Sequence, residues 1–333
     1  MKRTIKLINN MGMKVTLSPF GAAILDIVIT MKDGCERMVT LRPKSLADFA
    51  SSSGYYGKTI GRVAGRLEKS HCHIDGGEYT VLETLPNNGL HGGNKGLSNA
   101  YFDYINYRDP RGQIAIFSYQ IPHLEDGLPG NLQVFVTYLL HLDRNRLEIR
   151  YEAKSDADTI CNLTNHTYFN LDGQGTILDH ELMINATRFA EVDERLIPKR
   201  VVDVNPVMDF LRPKRIGDYI TARELSGAAQ GYDHPYILNE SNLQNSSASL
   251  TSSNNDLSLN MYTTYPCLVF YSGNYPTNEN MIPTKRMPKH GALALEPQYL
   301  PNTINNSLGQ EKTGLLKAGS LYQESIIYEF IIK

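Results

Sequence analysis

The chain has 333 residues, a formal net charge of -2, 41% apolar residues and 20% charged residues. These are values of a globular chain long enough to bury a sizeable core. The near-neutral charge gives no electrostatic case for a nucleic-acid or membrane partner, and no stretch approaches the roughly 18 apolar residues of a spanning helix.

Strand signals dominate from the start. Residues 14–30, KVTLSPFGAAILDIVIT, hold two apolar runs separated by a turn at Ser18-Pro19. Residues 43–52, PKSLADFASS, place Pro and Ser before an apolar stripe, which predicts one short helix. In GRVAGRLEKS (61–70), Arg62 and Arg66 sit among small residues; each suits either a ligand oxygen or an ordinary salt bridge. The HCH of 71–73 puts two histidines on one strand face, but no further ligands follow at zinc-like spacing, so no metal is expected. In NNGLHGGNKG (87–96), glycines flank His91 and allow a tight turn that presents the imidazole, or simply a hairpin loop. A phosphate-loop pattern cannot be laid over it.

Residues 112–121 and 132–153 read as long strands, the latter folded at a hairpin tip over 143–145. NLTNHTYFNL (162–171) reads as one strand with Asn162, Thr164, His166, Tyr168 and Asn170 on a single face. Such a polar row is costly in an apolar core. It suits the floor of a groove that holds a polar ligand, or a solvent-exposed sheet face. GQGTIL (173–178) lacks the third glycine of a dinucleotide fingerprint. Residues 216–227 carry a weak helix signal, and GYDHPYIL (231–238) brackets Asp233 with Gly and Pro. Asp233 could accept two hydrogen bonds from one ligand, or close an Asx turn. The polar tract 239–259 reads as a hairpin with an extended polar tip, leading into the strand at 264–274. In GALALEPQYLPN (291–302), Ala292, Ala294, Glu296 and Gln298 share a face. The small neighbours leave room for a ligand beside Glu296, and partial burial would tune it towards a general base. A surface glutamate, or one paired with an arginine, is the alternative. With strands throughout and no long amphipathic helices, the class is all-β, one large antiparallel domain over 1–333 with a few short helices.

The segments GRVAGR, LHGG, NHTYFNL, GYDHP and LEPQYLPN, in this order, resemble the aldose 1-epimerase (galactose mutarotase) family, as do VDERLIP (192–198) and MDF (208–210). The likeness runs through nearly the whole chain. It implies a β-sandwich of the galactose mutarotase type with the sugar in a groove across one sheet. It also implies roles: His166 as general acid and Glu296 as general base, with Arg66, His91 and Asp233 holding sugar hydroxyls and Tyr168 lining the site. No cofactor or metal is implied, and the partner is a small aldose. The family often has Asn-Arg where this chain has Gly65-Arg66, a Gln where it has Val269, and PDA where it has Pro301-Asn302-Thr303. These departures bear on sugar preference rather than reaction type.

Two rival functions share the sandwich. A hexose-6-phosphate epimerase would want basic residues beside the groove, for which Arg62 and Lys95 are candidates. A sugar sensor or binding module would need no matched acid and base. Cys35, Cys72, Cys161 and Cys267 are scattered, as free thiols of a reducing, cytoplasmic compartment would be. MKRTIKLINN lacks the apolar run of a signal peptide. The expected assembly is a monomer or weak homodimer.

Overall fold

A computed structural model describes residues 4–81 and 88–333. Every strand pairing among the described residues is antiparallel, and two sheets dominate. The larger has nine strands in the order Asp103–Arg108, Gly112–Ile121, Leu132–His141, Arg146–Ser155, Tyr322–Ile332, Leu257–Thr263, Ala248–Thr251, Glu181–Ile184 and Lys214–Arg215. The smaller has six, in the order Tyr168–Phe169, Leu293–Gln298, Cys267–Tyr271, Asp233–Ile237, Arg188–Val192 and Pro198–Asp203.

Alternation along the strands builds the core. In Arg146–Ser155, Leu147, Ile149, Tyr151 and Ala153 are buried, while Arg146, Glu148, Arg150, Glu152 and Lys154 point outwards. Burying each large apolar side chain of this kind stabilises the fold by roughly 1.5–3 kcal/mol. The inner faces of the two sheets share one apolar cluster, in which Phe117, Tyr138, Ile149 and Tyr328 meet Phe169, Leu268, Phe270, Leu293 and Leu295. Phe169 and Tyr328 touch across the layers, ring centroids 5.1 Å apart at 77°. This is a sandwich with one buried layer. The opposite face of the six-stranded sheet carries the polar residues of those strands and faces a cleft.

The two long hairpin strands 132–141 and 146–155 and the Ser18-Pro19 turn lie where the sequence predicts them. So does the helix, over Leu46–Ser51, where Ser45 Oγ accepts from the Asp48 N–H at 2.9 Å and Phe49 buries the apolar stripe. Three expectations need correction. Residues 216–227 form two short 3₁₀ turns, Ile216–Tyr219 and Arg223–Leu225. In the 239–259 tract the paired strands are Ala248–Thr251 and Leu257–Thr263, so the hairpin tip is only 252–256, and 239–247 is a separate loop. Buried Leu250, Leu257 and Leu259 set that register, and the Ser252 hydroxyl accepts from the N–H groups of Asp256 and Leu257 to close the tip.

The third correction concerns 162–171, which is not one strand. Thr164–Asn165 pairs with Thr59–Ile60, and Tyr168–Phe169 pairs with Leu293–Ala294. Between them the Thr167 hydroxyl donates to Asn165 Oδ1 at 2.5 Å, a local bond that competes with a continuous ladder. The polar row is therefore divided. Asn162 exchanges hydrogen bonds with the backbone of Tyr299, and Asn170 donates to the carbonyls of Gln174 and Gly291. Only His166 and Tyr168 reach the cleft.

Candidate active site

The cleft has a volume of about 670 Å³ and lies on the outer face of the six-stranded sheet. Arg66, His91, His166, Tyr168, Asp233 and Glu296 all line it. Register lays out its floor. Glu296 stands opposite Val269, which stands opposite Pro235; one row away, Tyr168, Ala294, Tyr271 and Asp233 lie side by side. Gln298 occupies the row on the other side of Glu296, opposite Cys267.

His166 and Glu296 meet on this floor. Nε2 of His166 is 3.4 Å from Oε1 of Glu296, and the two residues are 5% and 3% exposed. The imidazole is stacked between aromatic rings, Tyr168 at 4.9 Å and Tyr55 at 5.8 Å between centroids. Stacking on these rings fixes its plane. Neither Nδ1 of His166 nor Oε2 of Glu296 has a protein partner. Burial pushes the Glu296 carboxyl well above its ordinary range; Asp233 adds to the rise and Arg66 opposes it. Burial also pushes His166 down to about 4, with a backbone hydrogen bond opposing.

His91 follows the short strand Asn88–Leu90, which pairs with Arg66–Glu68. Asn87, the first residue of its motif, lies outside the described residues. His91 itself has φ +54° and Gly92 φ +83°. A Cβ on Gly92 would stand 2.3 Å from the Gly61 carbonyl oxygen, so only glycine permits this close crossing. The Gly65 N–H donates to Nδ1 of His91 at 3.2 Å, and the His91 N–H donates to the Gly65 carbonyl at 3.0 Å. Burial first, then His166 and Arg66, hold its pKa well below the usual value. With Nδ1 accepting, neutral His91 carries its proton on Nε2 and is a hydrogen-bond donor.

Arg66 Nη2 lies 3.3 Å from Asp233 Oδ2. The pair leaves the second Asp233 oxygen and the remaining guanidinium N–H groups for a ligand. Arg62 has a different fate. It is fully buried outside the cleft, where its Nε donates to Asp126 Oδ2 at 2.8 Å and its Nη1 to the Pro129 carbonyl at 2.8 Å and Thr159 Oγ1 at 2.9 Å. The ligand reading of Arg62 is therefore replaced by a structural ion pair. Lys95 is exposed and does not line the cleft.

Tyr55, Tyr271 and Gln298 also line the cleft without having been singled out as site residues. Gln298 had a signal, since it alternates with Glu296. Tyr55 had none beyond its glycine-bounded turn. Two groups of donors among the described residues could hold a cation: His91, His166 and Glu296 within the cleft, and His71, His73 and Glu78 on the hairpin 71–80 outside it. In the second group His71 already hydrogen-bonds Glu78.

No described helix is long and apolar enough to cross a membrane. The family model described as aldose 1-epimerase matches residues 3–329. An aldose 1-epimerase from Escherichia coli (strain K12) is 33% identical over 99% of this chain and 95% of its own length. A galactose mutarotase from Sus scrofa is 33% identical over 96% of this chain and 92% of its own. Among solved structures, a GalM/aldose epimerase homologue from C. elegans superposes with a TM-score of 0.88 at 28% identity, covering 100% of this chain and 99% of that one. A galactose 1-epimerase from Lactobacillus acidophilus NCFM gives a TM-score of 0.87 at 29% identity, covering 99% and 94%. By its full-length match and by its sandwich, the chain belongs to the aldose 1-epimerase family.

Proposed function

We propose that the protein is an aldose 1-epimerase, a mutarotase that interconverts the α and β anomers of free aldohexoses such as galactose and glucose. The observation that carries this reading is the buried contact between His166 and Glu296, 3.4 Å apart within the cleft. Anomer exchange needs one proton removed from the C1 hydroxyl and one delivered to the ring oxygen. Both oxygens are bonded to the same carbon, so acid and base must stand only a few ångströms apart.

In the forward step Glu296, as carboxylate, takes the C1 hydroxyl proton. The C1–O5 bond breaks as C1=O1 forms, and His166, as imidazolium, protonates O5. Rotation about C1–C2 turns the other carbonyl face to O5, and closure reverses both transfers. Each positioned proton transfer typically contributes about 10²–10⁴-fold. Arg66, His91 and Asp233 hold hydroxyls away from C1, which keeps the ring placed while both anomers fit. Tyr168 covers an apolar side of the sugar. A single domain covering 1–333, acting in the cytoplasm as a monomer or weak homodimer, completes the reading.

The hexose-6-phosphate alternative has less support. Arg62 is committed to Asp126, and the cations that line the cleft are already paired, Arg66 with Asp233 and Arg195 with Glu68 at 2.9 Å. A sugar sensor would not require a juxtaposed acid and base. Polarimetry with fresh α-galactose, α-glucose and a hexose 6-phosphate separates the three. Accelerated rotation of the free sugars is expected; binding without acceleration, or activity confined to the phosphate ester, would replace this reading.

A further inference from the structure

Gln298 ends the strand Leu293–Gln298 on the same face as Glu296. It lines the cleft and is fully buried, yet neither its Nε2 nor its Oε1 has a hydrogen-bond partner in the protein. A buried amide normally finds partners for both ends, because an unpaired polar group in such a place is strongly disfavoured. Several buried hydroxyls also lack a partner, Tyr151 and Tyr236 among them, but the buried amides keep this rule: those of Asn162, Asn165 and Asn170 each donate to backbone carbonyls. Gln298 is the exception among them, and it opens onto the cleft.

Its surroundings explain why it is free. The backbone of Gly65 passes over it, and a Cβ built there would approach Gln298 Nε2 to 3.2 Å. Having no side chain, Gly65 neither caps nor screens the amide. The facing strand offers Cys267 opposite Gln298 and Val269 opposite Glu296, neither of which pairs with it. What remains to satisfy the amide must come from within the cleft.

We propose that Gln298 is a specificity-determining residue whose amide binds a non-anomeric hydroxyl of the aldose; this rests on the reading that the cleft takes a free sugar. Strand geometry sets the position. Two residues along a strand separate Gln298 from Glu296 by about 7 Å, close to the width of a pyranose with its hydroxyls. With Glu296 at the C1 hydroxyl, Gln298 falls beyond the anomeric centre. Asp233 lies in the row on the other side of Glu296, so the two residues contact different hydroxyls. An amide both donates and accepts, which matches a hydroxyl, and a sugar lacking that hydroxyl leaves it unpaired again.

The test compares wild type with Gln298→Leu by polarimetry, on galactose and on each of its monodeoxy counterparts, with thermal melting alongside. We expect KM for galactose to rise about tenfold, with kcat changed less, as for one lost hydrogen bond to a neutral group. We also expect one deoxy sugar for which wild type and variant have the same KM. An unchanged KM, or one common factor on every sugar together with a lower melting temperature, would overturn the proposal. Gln298→Met takes its place if the leucine variant does not fold. Should wild type fail to accelerate mutarotation of any sugar, the functional reading fails, and calorimetry with galactose then decides on Gln298. A tenfold weaker variant supports its role, whereas equal affinity, or no binding by wild type, ends it.

Discussion

Nε2 of His166 and Oε1 of Glu296 face each other at 3.4 Å, with Tyr168 and Tyr55 stacked on the imidazole, and each side chain keeps one further polar atom without a protein partner. Burial raises the carboxyl and lowers the imidazole, so it favours the neutral form of each. The proposed ring opening uses the pair as carboxylate and imidazolium, so it draws on the charged forms that burial disfavours. The neighbouring charges act in opposite senses on Glu296, Asp233 raising it and Arg66 lowering it.

On the proposed mechanism the two groups act as a unit, so their substitutions should not add. Glu296→Gln keeps the shape and removes the base; His166→Gln keeps a hydrogen-bonding tip and removes the acid. Each alone is expected to lower kcat by about a hundredfold or more. The double variant is expected to be little worse than either single one, since one missing transfer already stops the cycle. Polarimetric kcat values for the three variants decide it, and multiplicative losses would mean that the groups work independently.

Stability should fall as pH is lowered from about 6.5 towards 4, and His234 offers a clean reading of this. It is buried beside Phe189, its Nδ1 accepts from the Asp233 N–H, and burial brings its pKa down to about 4, with Asp233 opposing. The unfolded chain takes up a proton here near pH 6.5, and the folded chain does not until about 4. A lowered folded value means that stability is present above pH 6.5 and lost as pH falls through this window. His166 contributes in the same sense, whereas Glu296, with a raised value, contributes oppositely as pH rises. His234→Gln should therefore flatten the dependence by about 1.4 kcal/mol per pH unit between 6.5 and 4. Urea midpoints at pH 7, 6 and 5 for both proteins test it; parallel curves would show that His234 is protonated in the fold.

Much of this was legible in the sequence because the chemistry sits in short segments whose local geometry is self-determined. Alternation alone exposed Glu296 among alanines and gave the sandwich its long strands. Flanking glycines marked the turn at His91. What alternation could not show is where a strand breaks. His166 lies at the step between two short pairings with different partners, and the same stretch sends Asn162 and Asn170 into structural bonds. The two arginines of GRVAGR look alike in sequence. They part because Arg62 meets Asp126 from a distant loop, while Arg66 reaches Asp233. Tyr55 stayed hidden for the same reason, since its stacking on His166 exists only once the chain has folded.

The buried pair Arg62–Asp126 is expected to be a stability element and not a substrate group. Arg62→Met removes the cation and leaves Asp126, whose carboxyl burial already raises despite the arginine. Breaking a buried pair in this way costs about 3–5 kcal/mol. Replacing both residues with apolar ones should cost less than the single change, because no uncompensated charge remains. Urea unfolding of Arg62→Met and of the Arg62→Met, Asp126→Leu double variant checks the ordering. A raised KM for galactose with unaltered unfolding in Arg62→Met would instead return this residue to the site.

Gly92 tests whether the fold positions His91 through backbone contact. Alanine at Gly92 meets two separate obstacles, a φ of +83° and the Gly61 carbonyl oxygen 2.3 Å from the new Cβ. Gly76 shares the first and lacks the second, with φ +76° and nothing within 4 Å. Gly76→Ala should therefore cost about 1 kcal/mol, the price of the left-handed conformation alone. Gly92→Ala must also push apart two backbones, one of which leads into Arg62 and the other out of His91. We expect it to destabilise by a further 1–3 kcal/mol or so. It should also lower kcat/KM on galactose at least about tenfold, since a shift of the order of 1 Å is enough to misplace a positioning group. Equal effects of the two substitutions on unfolding, or full activity in Gly92→Ala, would show that the contact at Gly61 yields without moving His91.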